Sequence, residues 1–401
     1  MNRLDRPILL SSMLLLTSLL SAQDPIVQSI LDDVEVDSML KYVGDISGEN
    51  AVFIDGDWET ITSRHKLNVG NALTTTYLFE KFASFGLQPY YQNWSSTLDN
   101  VIAEQEGVLY PNEKVIICGH YDAMPGGIAL APAADDDGSG TAAVLEAARV
   151  LSQYQFEYTI VYALWDEEEQ GLVGSGFFAG AAASNDDTII AVINLDALAW
   201  DGNGDSLARI HTRPVANSLA IGDTAFAMNA RYNLDLALNI NNPGATYSDH
   251  ASFWNEGFSA ILIIEDFDND GNPYYHTESD LVQYFDVPYF EKVAKLGFAT
   301  VATLAVPFDG NIGIEEIIGL ESLNARPNPF VDMVQIELPN DFQRIRSIDL
   351  FDMVGRRVEP FEYEYNGSAL FLNGQKMPSG SYLLRVTTND GKAYSVRILK
   401  R

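Results

Sequence analysis

Cysteine is nearly missing from the chain, with Cys118 alone among 401 residues, and histidine is scarce at five. A single thiol excludes a disulfide framework within the chain and any cysteine-rich zinc cluster. If the protein holds a metal, its ligands must come from His, Asp and Glu. Basic residues are few as well: 24 Lys and Arg stand against 56 Asp and Glu, a formal net charge of -32. So acidic a surface repels phosphates and anionic lipid heads, which argues against a nucleic-acid partner and favours metal cations and positively charged peptide termini. Disorder is excluded too, because 47% of the residues are hydrophobic, enough to bury a core in two or three domains. Beyond the N-terminus no apolar run is long enough to span a bilayer, so no transmembrane segment is expected.

The first residues carry Arg3 and Arg6, then an apolar run from Pro7 to Leu20, then Ser21-Ala22 before Gln23. This is the pattern of a cleaved secretory signal over residues 1–22, and the run falls short of the roughly 20 residues a membrane anchor needs. After a short N-terminal region, Asn68 to Phe85 reads as a helix with Leu78, Phe82 and Phe85 on one face. Strands are then expected at Asn100 to Ala103, Lys114 to Cys118, Tyr158 to Trp165, Thr188 to Leu195 and Phe258 to Ile264. Helices alternate with them at Gly140 to Leu151, Gly174 to Ala183, Val215 to Ala230 and Val287 to Leu304. Such alternation implies an α/β fold, a mixed sheet covered by helices.

The pattern changes after Pro307. Gly310, Gly313 and Gly319 mark a linker, and from Leu323 short alternating runs are separated by Pro-Asn, Asn-Gly and Asn-Asp-Gly turns. A small all-β sandwich is expected there. Charge divides at the same place, with about 11 basic and 10 acidic residues in 318–401 against about 13 and 46 before it.

Chemistry is concentrated where strands end. His120 closes the run Val115 to Cys118 in Gly119-His120-Tyr121-Asp122. Side chains at the carboxyl end of a strand in an open α/β sheet face the crevice where ligands bind. The two-residue step lets Asp122 turn back to the imidazole and accept its second N–H, leaving the other nitrogen for a metal. Asp135, Asp136 and Asp137 form a run of three acids before the helix at Gly140, more than a capped helix start requires. The strand ending at Trp165 leads into Asp166-Glu167-Glu168-Glu169, the strand ending at Leu195 into Asp196, and His276 follows Asn272-Pro-Tyr-Tyr275. Clustered acids repel one another unless they are protonated or bind a cation. His65 reads as a surface residue and His211 as structural, while His250, at a helix start that Ser248 or Asp249 could cap, reads either way.

In order, spacing and flanking residues, the stretch from Ile61 to Leu304, including Ser63-Arg64, resembles the co-catalytic zinc aminopeptidases of the bacterial leucyl aminopeptidase and aminopeptidase S type. The resemblance implies a zinc exopeptidase fold with two Zn²⁺ per chain, His120 and Asp196 holding one ion, Glu169 and His276 the other, and Asp136 bridging them. It makes Glu168 the general base of peptide hydrolysis and Asp122 the partner of His120. The substrates implied are peptides with a free N-terminus. A glutaminyl cyclase, which uses one zinc and drives intramolecular amide attack, shares the same positions. A catalytically silent binding module is the third reading, weakened by the presence of all five ligand positions and of Glu168. Some relatives carry a Cys pair before the Ser-Asp-His segment, where this chain has Asn242-Pro-Gly-Ala-Thr-Tyr247. Tyr247, Ile264, Phe267 and Tyr275 are expected to line an apolar pocket for the first residue of the substrate. Asp266, Asp268 and Asp270 with Gly271 have the spacing of a calcium loop, set against the plainer reading of a solvated acidic turn.

Finally, Arg326-Pro327-Asn328-Pro329-Phe330, the run from Asp349 to Val358 with its Gly355-Arg356-Arg357, Met377-Pro-Ser-Gly380-Ser-Tyr382, Gly391-Lys392 and the closing Lys400-Arg401 together resemble the C-terminal sorting domain of type IX secretion. The organisation this implies is a signal peptide (1–22), a zinc exopeptidase domain (23–308), a linker (309–322) and a sorting β-sandwich (323–401). The protein would leave a Gram-negative cell through the type IX machinery and be secreted or held at the cell surface. A glycan- or substrate-binding sandwich is the competing reading of the last domain.

Overall fold

The computed structural model describes residues 23–94, 99–124, 127–308, 320–338, 345–352, 358, 361–366, 369–388 and 393–401. The expected signal peptide, most of the expected linker, and the Gly355-Arg356-Arg357 and Gly391-Lys392 motifs lie outside the described residues. The chain divides into two compact units, Met1–Phe308 and Asp309–Arg401.

The stretch expected to be only a short N-terminal region contains two helices, α1 (Pro25–Asp32) and α2 (Val36–Ile46), and a hairpin of β1 (Val52–Ile54) and β2 (Asp57–Glu59). Met39, Tyr42, Val43 and Ile46 give α2 an apolar stripe, and all four are buried. Helix α3 (Val69–Ser84) follows, its first turn capped by the Asn68 side chain, which accepts from Gly70 N at 2.8 Å. Next come β3 (Gln88–Asn93), β4 (Asp99–Gln105), β5 (Tyr110–His120), α4 (Gly138–Leu151), β6 (Tyr158–Trp165), α5 (Val173–Ser184), β7 (Thr188–Leu195) and β8 (Leu207–His211). Helix α6 (Ser218–Tyr232), β9 (Ala237–Asn241), α7 (His250–Asn255), β10 (Ala260–Glu265) and α8 (Val287–Ala305) complete the unit. The expected helix from Val215 starts at Ser218, because Val215 to Asn217 form a turn closed by Ser218 N donating to Val215 O at 3.0 Å.

Eight strands form one mixed sheet in the order β3-β4-β6-β5-β7-β10-β8-β9. The four central strands β6, β5, β7 and β10 run parallel, so their carboxyl ends emerge on one edge. Strands buried on both faces lose the in-out alternation and read as continuous apolar runs, as all eight residues of β6 do. Val115 and Ile117 of β5 pack under α4 and α8 on one face, while Ile116 and Cys118 meet Phe178 of α5 and Phe253 of α7 on the other. Cys118 is therefore a core residue.

The second unit holds β11 (Leu320–Ser322), β12 (Asn324–Arg326), β13 (Met333–Glu337), β14 (Ile345–Asp352), β15 (Glu362–Tyr365), β16 (Ala369–Asn373), β17 (Gly380–Thr388) and β18 (Ala393–Lys400). They form two four-stranded sheets, β11-β18-β17-β14 and β12-β13-β16-β15. Alternation is clean in β13, and Val334 and Ile336 from one sheet and Leu384, Val386 and Ile398 from the other enter one core. The last three residues of the expected linker are strand β11, paired with β18.

Candidate metal centre

Each end of the parallel strands delivers one part of the site. β5 stops at His120, buried to 1% exposure. The three acids that follow have three different tasks. Asp137 caps α4 by accepting from Gly140 N at 2.8 Å, and also accepts from His120 N at 3.0 Å and Ala197 N at 3.2 Å. One carboxylate thus ties the ends of β5 and β7 to the start of a helix. Asp135 accepts from Ala199 N and from Asn272 Nδ2, both at 2.9 Å. Asp136 is left to face the crevice, with Oδ1 3.2 Å from His120 Nε2 and Oδ2 3.0 Å from His276 Nε2.

Beyond β6 the chain turns sharply, with Glu167 at φ 55° and Leu172 at φ 61°. Asp122 organises this turn: its Oδ1 accepts from Glu168 N at 3.0 Å and its Oδ2 from Glu169 N at 3.3 Å. Asp122 also stands behind the imidazole as expected, its Oδ1 3.4 Å from His120 Nδ1 in an ion-pair contact longer than an ordinary hydrogen bond. Glu168 Oε2 lies 4.0 Å and Asp196 Oδ1 3.7 Å from His120 Nε2, while Glu169 Oε2 lies 3.1 Å from His276 Nε2. His276 sits on the loop after β10 at φ 57°. Asp280 anchors that loop by accepting from Asp135 N and Asp136 N at 3.1 Å, and Asn272 anchors it through Asp135. All seven residues singled out in the sequence, His120, Asp122, Asp136, Glu168, Glu169, Asp196 and His276, therefore meet at one sheet edge.

Burial opposes charge on both imidazoles, yet the surrounding carboxylates win. Glu168, Asp122, Asp136 and Asp196 push His120 well above its ordinary value, and Asp136 and Glu169 raise His276 to about 10. Burial likewise favours a neutral Asp136, but His120 and His276 hold it well below the usual carboxylate range. Burial, then the Asp136 charge, lifts Glu169 to about 7, and burial pushes Glu168 well up. The cluster needs positive charge at its centre.

Arg64 was visible in the sequence without a task. Fully buried, it donates from Nε to Tyr121 O at 2.7 Å, from Nη1 to Ile46 O at 3.0 Å and Pro132 O at 2.6 Å, and from Nη2 to Ala133 O at 2.6 Å. It clamps the backbone on either side of the loop joining His120 to the acid run. Asp249 is the first flank of α7 but makes no side-chain cap bond, contrary to the capping expectation for that helix. His250 is buried and donates from Nε2 to Ala245 O at 2.9 Å, and His65 accepts from Leu67 N at 3.1 Å. A cavity of about 610 Å³ opens over the cluster, with Tyr247, Ile264, Phe267 and Tyr275 in its wall. The acids of the calcium-like loop are answered by Arg209, whose Nε lies 2.5 Å from Asp266 and Nη1 2.9 Å from Asp268. Asp266 is buried rather than solvated, and Asp270 accepts from Asn203 N at 3.0 Å.

Residues 100–301, half of the chain, match the profile of Peptidase family M28. The chain belongs to peptidase family M28. Its residues 324–401 match the secretion system C-terminal sorting domain. Among curated proteins, this M28 chain is similar to a probable zinc metalloprotease of Pyrenophora teres f. teres (strain 0-1), 28% identical over 268 residues that make up 55% of each protein. It thus spans about half the length of the curated relatives it matches. Its fold is similar to that of the LapA aminopeptidase of Legionella pneumophila (TM-score 0.61, 21% identity, 71% of this chain and 75% of that one). It is also similar in fold to the glutaminyl cyclase of Porphyromonas gingivalis (TM-score 0.52, 19% identity, 67% of this chain and 97% of that one).

The donor set of the M28 site suits zinc. Two groups, His120 with Glu168 and Asp196, and Asp136 with Glu169 and His276, each bring their ligand atoms within 4.8 Å of one another. Nitrogen and carboxylate oxygen are the donors Zn²⁺ takes in the absence of thiolate. Asp136 Oδ2 and His276 Nε2 are buried without a hydrogen-bond partner, as groups reserved for a cation would be.

Proposed function

We propose that this protein is a secreted zinc-dependent aminopeptidase that removes N-terminal residues from peptides. The observation that carries the reading is the Asp136 carboxylate, one oxygen turned to His120 and the other to His276. Two ions would be held, one by His120 and Asp196, one by Glu169 and His276, with Asp136 shared between them. When bound, they supply Lewis acidity to the scissile carbonyl and bring the pKa of water toward ~7.

The chain's own groups supply the rest. Glu168 takes the proton of the attacking water and later gives it to the departing amine. Asp122 holds the backbone amide of Glu168. The adjoining cavity receives the first side chain against Tyr247, Ile264, Phe267 and Tyr275. The acidic excess around the site attracts a cationic N-terminus. Residues 23–308 form the peptidase domain in this reading, and 323–401 direct export through the type IX machinery to the cell surface or medium.

A glutaminyl cyclase is the second reading, favoured by the fold likeness that covers 97% of such an enzyme. Metal stoichiometry on the purified protein, with a panel of aminoacyl-nitroanilides and N-terminal glutamine peptides, separates the two. Two zinc ions and release of nitroaniline are expected. One zinc with ammonia released from glutamine peptides, and no nitroaniline, would overturn the aminopeptidase reading.

A further inference from the structure

The cavity wall contains one residue whose hydrogen-bonding role is fixed from behind. Tyr247 lines the cavity and is 52% exposed. His211, the last residue of β8, lies against it with ring centroids 5.6 Å apart at 66° and with Nε2 3.2 Å from the phenol oxygen. The other ring nitrogen, Nδ1, accepts from Ala245 N at 2.9 Å. A backbone amide can only donate, so Nδ1 carries no proton.

Burial, and after it the neighbouring Arg209, pushes His211 down to about 4, so the ring is neutral near pH 7 and its one proton sits on Nε2. That N–H donates to the Tyr247 oxygen. Burial raises the phenol above its ordinary value, with the Asp196 carboxylate adding to the effect, so the hydroxyl keeps its hydrogen. Having accepted from His211, the hydroxyl has that hydrogen left to give. Met124, Leu172, Ile264 and Phe267 make much of the remaining wall apolar.

The arrangement is built rather than incidental. Gly244 lets the segment lie on β8, since a Cβ there would come within 2.8 Å of His211 Cβ and of Thr212 N. Gly244 N also donates to Thr212 O at 2.8 Å. Ala245 and Tyr247 are therefore held in register with His211.

We infer that Tyr247, oriented by His211, donates a hydrogen bond to a carbonyl-type acceptor of the bound peptide. The inference rests on the aminopeptidase reading for its substrate class. Two sources of that acceptor exist, a first residue with a side-chain carbonyl and the peptide carbonyl beyond the scissile bond. Leu and Asn are close in shape and differ in the side-chain carbonyl, and nitroanilides lack the following peptide carbonyl.

The test compares Tyr247→Phe with the wild-type holoenzyme on leucyl-nitroanilide, asparaginyl-nitroanilide and the tripeptide Leu-Gly-Gly. A loss of about tenfold in kcat/KM confined to the asparaginyl substrate supports the side-chain acceptor, and one confined to the tripeptide supports the backbone acceptor. Equal kinetics on all three overturns the inference. His211→Leu should reproduce the same selective loss, the double variant should be no worse than either, and His211→Gln, which retains an N–H, should recover part of it. A general loss of folding would lower all three substrates together. Calorimetric Kd values for Leu-Gly-Gly and Asn-Gly-Gly, measured in a Glu168→Gln background with and without Tyr247→Phe, test the same bond without turnover. Wild-type protein that cleaves nothing defeats the aminopeptidase reading, whereas unchanged Kd values for both peptides defeat the role of Tyr247.

Discussion

The two units of this chain bury different things. Among the described residues, the first buries fourteen Asp and Glu side chains against two arginines, Arg64 and Arg209, whereas in the second only Asp349 is a buried charged side chain. Ionised carboxylates are costly to remove from water unless paired or hydrogen-bonded. The sandwich largely avoids that cost by alternation, as β13 does in turning Val334 and Ile336 inward and its charged and polar neighbours outward. The α/β unit accepts it where four strand ends converge, and there Asp136, Glu168, Glu169 and Asp196 gather around two imidazoles. The difference teaches where to look for chemistry: in the region that gathers buried acids around two imidazoles, as a cation site would.

Removing that cation should have the largest effect and should fall on one unit alone. Chelation is expected to abolish the proposed aminopeptidase activity and lower the melting transition of the first unit, leaving that of the second in place, because ligands stabilise only the state that binds them. Calorimetry with and without chelator reads both; coincident shifts of the two transitions would break the comparison. Glu168→Gln comes next. It should cut kcat by about 10²–10⁴-fold while the zinc content by mass spectrometry is unchanged, separating proton transfer from metal holding. Arg64→Met leaves several buried carbonyls unanswered and should destabilise the first unit by more than about 3 kcal/mol, with zinc affinity falling alongside. Leu372→Ala, in the sandwich core, should cost about 2–5 kcal/mol in urea unfolding of the second unit with rates untouched.

Much of the site was legible because strand ends announce themselves. An apolar run that stops at His120, Trp165 or Leu195 and continues into acids shows where the crevice must lie, and the parallel order of β6, β5 and β7 brings those ends together. Contacts between distant segments were not legible. The step from His120 to Asp122 suggested a pair, and Asp122 Oδ1 lies 3.4 Å from Nδ1, but nothing local foretold that both Asp122 oxygens also hold amides 46 and 47 residues onward. Alternating acids with a glycine look alike whether they face calcium or a guanidinium, and nothing beside them in sequence announces Arg209, which pairs with Asp266 from 57 residues earlier. His211 read as structural because nothing beside it in sequence is acidic, and its partner Tyr247 lies 36 residues away.

The smallest expected effect is a histidine-linked pH dependence, which falls on the first unit since all five histidines precede residue 309. Burial pushes His211 down to about 4 and His250 to about 3, from an ordinary value of 6.5. Between pH 6.5 and those values the unfolded chain takes up protons that the folded chain refuses, so stability falls as pH is lowered through this window. Urea titrations from pH 7 to 4 should show a shallower decline for His250→Asn than for the wild type.

Asp137 carries one more consequence, for the chain's freedom to vary. A side chain at Gly119 would come within 2.7 Å of its Oδ2, and one at Gly140 would collide with its Oδ1 and approach Leu195 O at 2.5 Å. Both glycines are hollowed around the same carboxylate, so a change at either cannot be offset at the other. Shortening the acid itself would strand the amides of His120, Gly140 and Ala197. A change at any one of these three positions therefore disturbs contacts made by the other two.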